Sequence, residues 1–259
     1  MVTLKNNNQT VVIDSGEIIS YQLNDYEYLH QKGSPGWGHT DTEMFPIIGP
    51  TENAGYRVQV PKGNAIQDQH GLLREFKYSL ESNDDQSASF SKEYIAGTVI
   101  QNSKYPERSK VGRLIWPFSF RFEKRVVLLK DCLEITFVIS GDKDMPYMLG
   151  YHPAFKLRSA SAQVVSDDIS YSLDEVMDAG NIALHVPQKE SLILKDEREL
   201  QLVTSGFGHF MLWSPVSNMI CIEPITFYPY SVEQRFLHEG FKHLNQPEAE
   251  FKLRIIPKG

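Results

Sequence analysis

The apolar run Met219-Ile220-Cys221-Ile222 leads into Glu223-Pro224, so one carboxylate sits at the end of a strand-like stretch that a proline is expected to stop. An ionised glutamate in such a place is costly unless something pairs with it. Two further segments, Gln69-His70-Gly71-Leu72 and Gly150-Tyr151-His152-Pro153-Ala154-Phe155, each set a histidine beside glycine or proline. There the chain turns sharply and a side chain can be aimed into a cleft. Two imidazoles and one carboxylate form an acid/base set, because a histidine near its ordinary pKa of ~6.5 supplies or takes a proton at neutral pH. The competing readings are a salt bridge or a water-facing strand end for Glu223, and ordinary surface or core positions for the histidines. His30, His39, His185, His209, His238 and His243 lack such surroundings and are read as ordinary.

The three segments lie far apart in the chain, so only a fold that gathers strand ends can join them. Strand periodicity is plentiful. Phe118, Phe120 and Phe122 alternate with Ser119, Arg121 and Glu123, and Val127 and Leu129 are expected to continue that face beyond Lys124-Arg125. Lys130-Asp131 then reads as a tight turn into Leu133, Ile135, Phe137 and Ile139, a half-buried hairpin. Phe251, Leu253 and Ile255 repeat the alternation. Near the start, Asp14-Ser15-Gly16 is a turn between two β-rich runs. Helical signals are few; Ser231–Gly240 is expected to form one short helix capped by Ser231. Short strands between polar turns, such as 83–86 and 159–161, indicate an all-β sandwich of large antiparallel sheets. Residues 1–259 are expected to form a single domain.

Composition bounds the chemistry. The chain is 41% hydrophobic and 23% charged, with a formal charge of −7. An acidic chain is poorly suited to nucleic acid, whose phosphates call for a basic face. No run reaches the ~20 apolar residues of a membrane span, and the first residues carry no signal-like apolar core. Cys132 and Cys221 both fall in apolar runs and read as buried free thiols in a reducing compartment. No cysteine or histidine cluster has zinc spacing. The expectation is a cytoplasmic protein with no metal, no cofactor, no nucleic acid and no membrane partner.

The motifs, taken in order, resemble the aldose 1-epimerase (galactose mutarotase-like) family and, within it, the LacX-like branch. Phe45-Pro46-Ile47-Ile48-Gly49 is similar to the family's Phe-Pro-x-x-Gly stretch, and Gln69-His70-Gly71-Leu72-Leu73-Arg74 to its Gln-His-Gly-x-x-Arg. Trp116-Pro117-Phe118, Gly150–Phe155 and Cys221–Pro224 complete the set. The resemblance implies a β-supersandwich with a sugar cleft and a reaction that opens a hemiacetal. It implies Glu223 as the base at the C1 hydroxyl, His152 as the acid at the ring oxygen, and His70, Gln69 and Arg74 as substrate-binding residues. It also implies a small-molecule sugar as the partner, and the chain is expected as a monomer or homodimer.

Arg74 has a competing reading as a surface ion pair with Glu75. Trp37, Trp213 and Tyr228 are candidate sugar-stacking surfaces, with core packing as the alternative. Many relatives carry arginine after Phe-Pro-x-x-Gly, and this chain has Pro50, which tells against a sugar phosphate unless Arg57 substitutes. Other readings are a hexose-6-phosphate mutarotase, a non-catalytic carbohydrate-binding protein, and a metal site from His70, His152 and Glu223.

Overall fold

A computed structural model describes residues 1–167 and 169–258. Its largest element is a nine-stranded antiparallel sheet whose middle is the expected hairpin, Phe120–Leu128 against Leu133–Gly141. Glu248–Lys258 borders the second hairpin strand and Ser87–Tyr94 the first. Ser79–Asn83 closes one edge; the other runs through Glu199–Ser205, Ser191–Lys195 and Gln163–Ser166 to Ile169–Ser172.

A second, six-stranded antiparallel sheet holds Leu184–Pro187, His209–Trp213, Met219–Ile225, Gly150–Tyr151 and Glu43–Met44 in that order, with Ala154–Lys156 also pairing with Met219–Ile225. Aromatic side chains from the two sheets meet in one core. Phe45 packs on Phe122 at 5.5 Å between ring centroids, and Phe137 on Tyr151 at 5.0 Å. The all-β expectation holds, as do the buried Leu133, Ile135, Phe137 and Ile139 and the closing Phe251, Leu253 and Ile255. The Ser15-Gly16 turn also forms, with both residues at positive φ.

Three local expectations are corrected. The strand from Phe120 does not change phase at Lys124-Arg125: Phe120, Phe122, Lys124, Val126 and Leu128 all point inward. Lys124 keeps the register because Asp41 and Glu43 wait for it inside, at 2.6 and 2.9 Å. Pro224 does not stop its strand either. Met219–Ile225 is buried throughout, and Pro224 pairs with Phe210. Ser231 caps no helix; its hydroxyl bonds the Tyr228 carbonyl at 2.7 Å, and Gln234–Gly240 forms 3-10 turns instead. The α-helix observed is Leu173–Asp178, opened by a Ser172/Glu175 capping box. That Ser-x-x-Glu spacing stands in the sequence and went unread.

Both cysteines are buried and unpaired. No described helix is long and apolar enough to cross a membrane.

Candidate active site

Strand register brings the acid/base set together. Gly150 pairs with Ile225 and Ala154 with Cys221 across the same antiparallel ladder, so the intervening His152 falls opposite Glu223. His152 Nε2 lies 3.3 Å from Glu223 Oε1, and both residues are buried, 5% and 2% exposed. The backbone on either side is tied to the neighbouring segment, His152 N–H donating to the Thr42 carbonyl at 2.8 Å and Ala154 N–H to Thr40 at 2.9 Å.

His70 comes from a different device. It sits at φ 73° and Gly71 at φ 70°, two successive left-handed residues pressed against Phe45–Ile48. A Cβ on Gly71 would lie 2.2 Å from the Phe45 carbonyl oxygen, so that position admits only glycine. A left-handed histidine costs on the order of 1 kcal/mol or more, and here main-chain bonds from Phe45 to His70 and from His70 to Ile48 hold it. Its Nδ1 lies 2.9 Å from the Ile48 carbonyl oxygen. A carbonyl only accepts, so Nδ1 carries the hydrogen, which leaves Nε2 of the neutral ring as an acceptor. The His70 ring meets His152 edge-on at 5.8 Å.

These side chains line a cleft of about 520 Å³, within the range of small-ligand sites. Gln69 and Pro50 line it as well, together with Trp37, Trp213 and Met211. The far rim is Asn181–Ala183 and Tyr230, whose hydroxyl donates to the Asn181 carbonyl at 3.0 Å. Asn181, Met211 and Tyr230 were missed by the sequence reading. Met211 enters the cleft through its pairing with Glu223 in the adjacent strand, a register that no local sequence signal gives.

Burial dominates the electrostatics. It drives the Glu223 carboxyl well above the ordinary carboxylate range. It also brings the His152 imidazole down to about 3, with the Arg74 charge as the next cause. His70 is likewise pushed well down by burial, then by His152 and Arg74. Burial thus favours the neutral form of both groups, with the shared proton on the carboxyl.

Other expected residues lie elsewhere. Arg74 lines an adjacent cavity of about 220 Å³ with His39 and Ser103 rather than the cleft. Nor does it pair with Glu75, whose carboxylate accepts from Ser103. Tyr228 stacks on His185 at 4.2 Å and bonds the Ile182 and Ala183 carbonyls, so it braces the rim from behind. Arg57 is exposed and takes no part in the lining. Among the described residues no lysine or arginine lines the cleft.

The alternative reading of His70, His152 and Glu223 as a metal grouping is not the arrangement found; among the described residues, donor atoms of His152, Cys221 and Glu223 lie within 4.8 Å of one another. Burial, then the Glu223 charge, pushes the Cys221 thiol well up.

A model of the family described as aldose 1-epimerase matches residues 1–204. The chain belongs to the aldose 1-epimerase family. The match ends before Glu223, so the family is carried by the first two histidine segments and the sheets around them. The chain is 28% identical over 222 residues to the plasmid-encoded protein LacX of Lactococcus lactis subsp. lactis, covering 80% of this chain and 70% of that one.

Its fold is that of galactose mutarotase-like proteins. A galactose mutarotase related enzyme from Lactobacillus acidophilus superposes with TM-score 0.79 at 20% identity, over 100% of this chain and 97% of that one. A galactose mutarotase-like protein from Lactobacillus casei gives 0.78 at 17% identity, with both chains fully covered.

Proposed function

We propose that this protein is an aldose 1-epimerase that interconverts the α and β anomers of a free sugar. The observation that carries the reading is the His152–Glu223 pair, 3.3 Å apart on the wall of a sugar-sized cleft with His70 alongside. Anomer exchange needs one proton held between two groups. One group takes the proton from the C1 hydroxyl as the other gives one to the ring oxygen. The C1–O ring bond breaks, C1=O forms, and the open chain rotates about C1–C2 before the reverse transfers close it. No electron is exchanged and the pair ends with the proton count it began with.

Glu223 as base with His152 as acid, the roles the family resemblance implies, uses the ion-pair placement of that proton. In the free cleft burial favours the neutral placement, with the proton on Glu223. Substrate hydroxyls that donate to the carboxylate would move it to His152. The bare Nε2 of His70 accepts from a sugar hydroxyl, and Gln69 is at hand on the same loop.

The cation-free lining supports a neutral sugar over a hexose 6-phosphate, since a phosphate buried without a cation is costly. Exchange spectroscopy on α- and β-glucose and galactose tests the reading. The parent should accelerate exchange and Glu223→Gln should not. Saturable sugar binding with no acceleration by the parent would identify a binding protein instead.

A further inference from the structure

We propose that Trp37 is a positioning residue for His152, orienting the imidazole by ring stacking where a hydrogen bond is missing. This rests on the mutarotase reading of the cleft, which gives the orientation its purpose.

A catalytic imidazole is ordinarily held by a hydrogen bond on the nitrogen that faces away from the substrate. His152 has no such bond. Its Nε2 faces Glu223, and its buried Nδ1 has no hydrogen-bond partner among the described residues. Ring contacts take over. The Trp37 indole lies on the imidazole at 4.6 Å with planes 15° apart, and Trp213 meets the same ring edge-on at 5.8 Å and 82°. One face and one edge together fix the imidazole plane. The stack serves both protonation states, because an indole face also attracts an imidazolium. One face of Trp37, a candidate surface for a sugar ring, is thus taken by a protein ring.

Trp37 is itself set in place from a distance. It rides on Gly33-Ser34-Pro35-Gly36-Trp37-Gly38, whose base is fixed by His30 Nε2 at 2.9 Å from the Pro35 carbonyl. Gly36 has φ +95°, and a Cβ there would lie 2.4 Å from Val216 Cγ2, so the loop is pressed onto the turn before Met219–Ile225. The indole also packs against Trp213 at 5.6 Å, beside the small cluster of Ala154, Met219 and Cys221. The loop and the strand carrying Glu223 therefore hold His152 from two sides. The Trp37 Nε1–H is itself buried without a partner among the described residues, so the indole is held by packing and not by a hydrogen bond.

The test compares Trp37→Phe with Trp37→Leu, reading anomer-exchange kcat and KM together with NMR of the His152 ring nitrogens between about pH 5 and pH 8. Phenylalanine keeps a ring face and loses the N–H. It should leave kcat within about threefold and the imidazole signals in place. Leucine keeps bulk and loses the face. It should lower kcat about 10- to 100-fold with a smaller change in KM, and move the imidazole signals toward those of an ordinary histidine.

Equal kcat losses in both variants, or unmoved signals in Trp37→Leu, would overturn the proposal. If the parent shows no anomer exchange, the mutarotase reading fails, and the imidazole signals alone decide whether Trp37 orients His152. Should Trp37→Leu not fold, Gly36→Ala displaces the loop while keeping the indole and should reproduce the kcat loss. An unchanged kcat there would count against the proposal.

Discussion

Two buried clusters of ionisable groups among the described residues are built on opposite plans. Beneath the adjacent cavity, Lys124 donates to Asp41 at 2.6 Å and to Glu43 at 2.9 Å, with Lys92 at 3.7 Å from Glu43. Asp41 also accepts from the Tyr151 hydroxyl at 2.7 Å and the Ile18 N–H at 3.2 Å. Two cations face two carboxylates, and neutral donors fill the gaps. In the cleft a carboxyl and an imidazole are as deeply buried with one poor contact between them.

The consequence shows in the protons. Burial alone would raise Glu43, yet Lys124 and Lys92 hold it below its ordinary value, whereas nothing offsets burial at Glu223. Burial pushes Asp41 up, with the Glu43 charge adding to it, although three donors meet its carboxylate. Burial alone would lower Lys124, and the two carboxylates raise it instead. Satisfied charges hold segments together; an unsatisfied pair is left free to exchange a proton.

The sharpest way to break this contrast is to remove one ionisable group from each cluster. Glu223→Gln should cost about 10²- to 10⁴-fold in anomer exchange by NMR, and near pH 5 it should leave the thermal midpoint little changed, because glutamine replaces the neutral carboxyl that burial favours. Lys124→Met should do the reverse. Two buried carboxylates lose their cation, so urea unfolding should show a loss of about 3–5 kcal/mol. Adding Asp41→Asn and Glu43→Gln to that variant should recover much of the loss.

A subtler test uses pH. Above the ordinary carboxylate value the unfolded chain releases a proton that folded Glu223 keeps, so rising pH destabilises the native state by up to about 1.4 kcal/mol per unit until the raised value is passed. His152 acts at the other end. Falling pH through ~6.5 protonates the imidazole of the unfolded chain while the folded ring stays neutral to about 3, so stability drops as pH drops. Calorimetry from pH 5 to 8 should therefore show Glu223→Gln gaining on the parent as pH rises. A gap that stays constant would contradict the assigned proton.

The smallest expected effect concerns the lining. Pro50→Arg puts a guanidinium on a rim that has no cation, and should raise the rate on glucose 6-phosphate relative to glucose several-fold.

Most of the sheet architecture was legible because alternation in Phe118–Phe122, Leu133–Ile139 and Phe251–Ile255 reports the buried face directly. The site was legible as three motifs, and the register of Gly150–Phe155 against Met219–Ile225 then did the gathering. What stayed hidden required partners from distant segments. Lys124 looks like a phase break until Asp41 and Glu43 are known to lie opposite. Trp37 and Tyr228 were recognised as aromatic surfaces, but nothing local says that each ring faces a histidine. Arg74 follows His70 closely, and yet the 3-10 turn Leu73–Glu75 carries it around to the next cavity.

The site also draws on elements of unequal mechanical strength. Glu223 lies in a strand bordered on both sides and buried end to end, the kind of segment whose amides exchange only when the whole molecule opens. Trp37 lies in a loop outside the sheets, which can open while everything else stays shut. Warming should then lower turnover reversibly below the melting transition, since a loop with few main-chain bonds of its own opens at a smaller free-energy cost than the strand that carries Glu223.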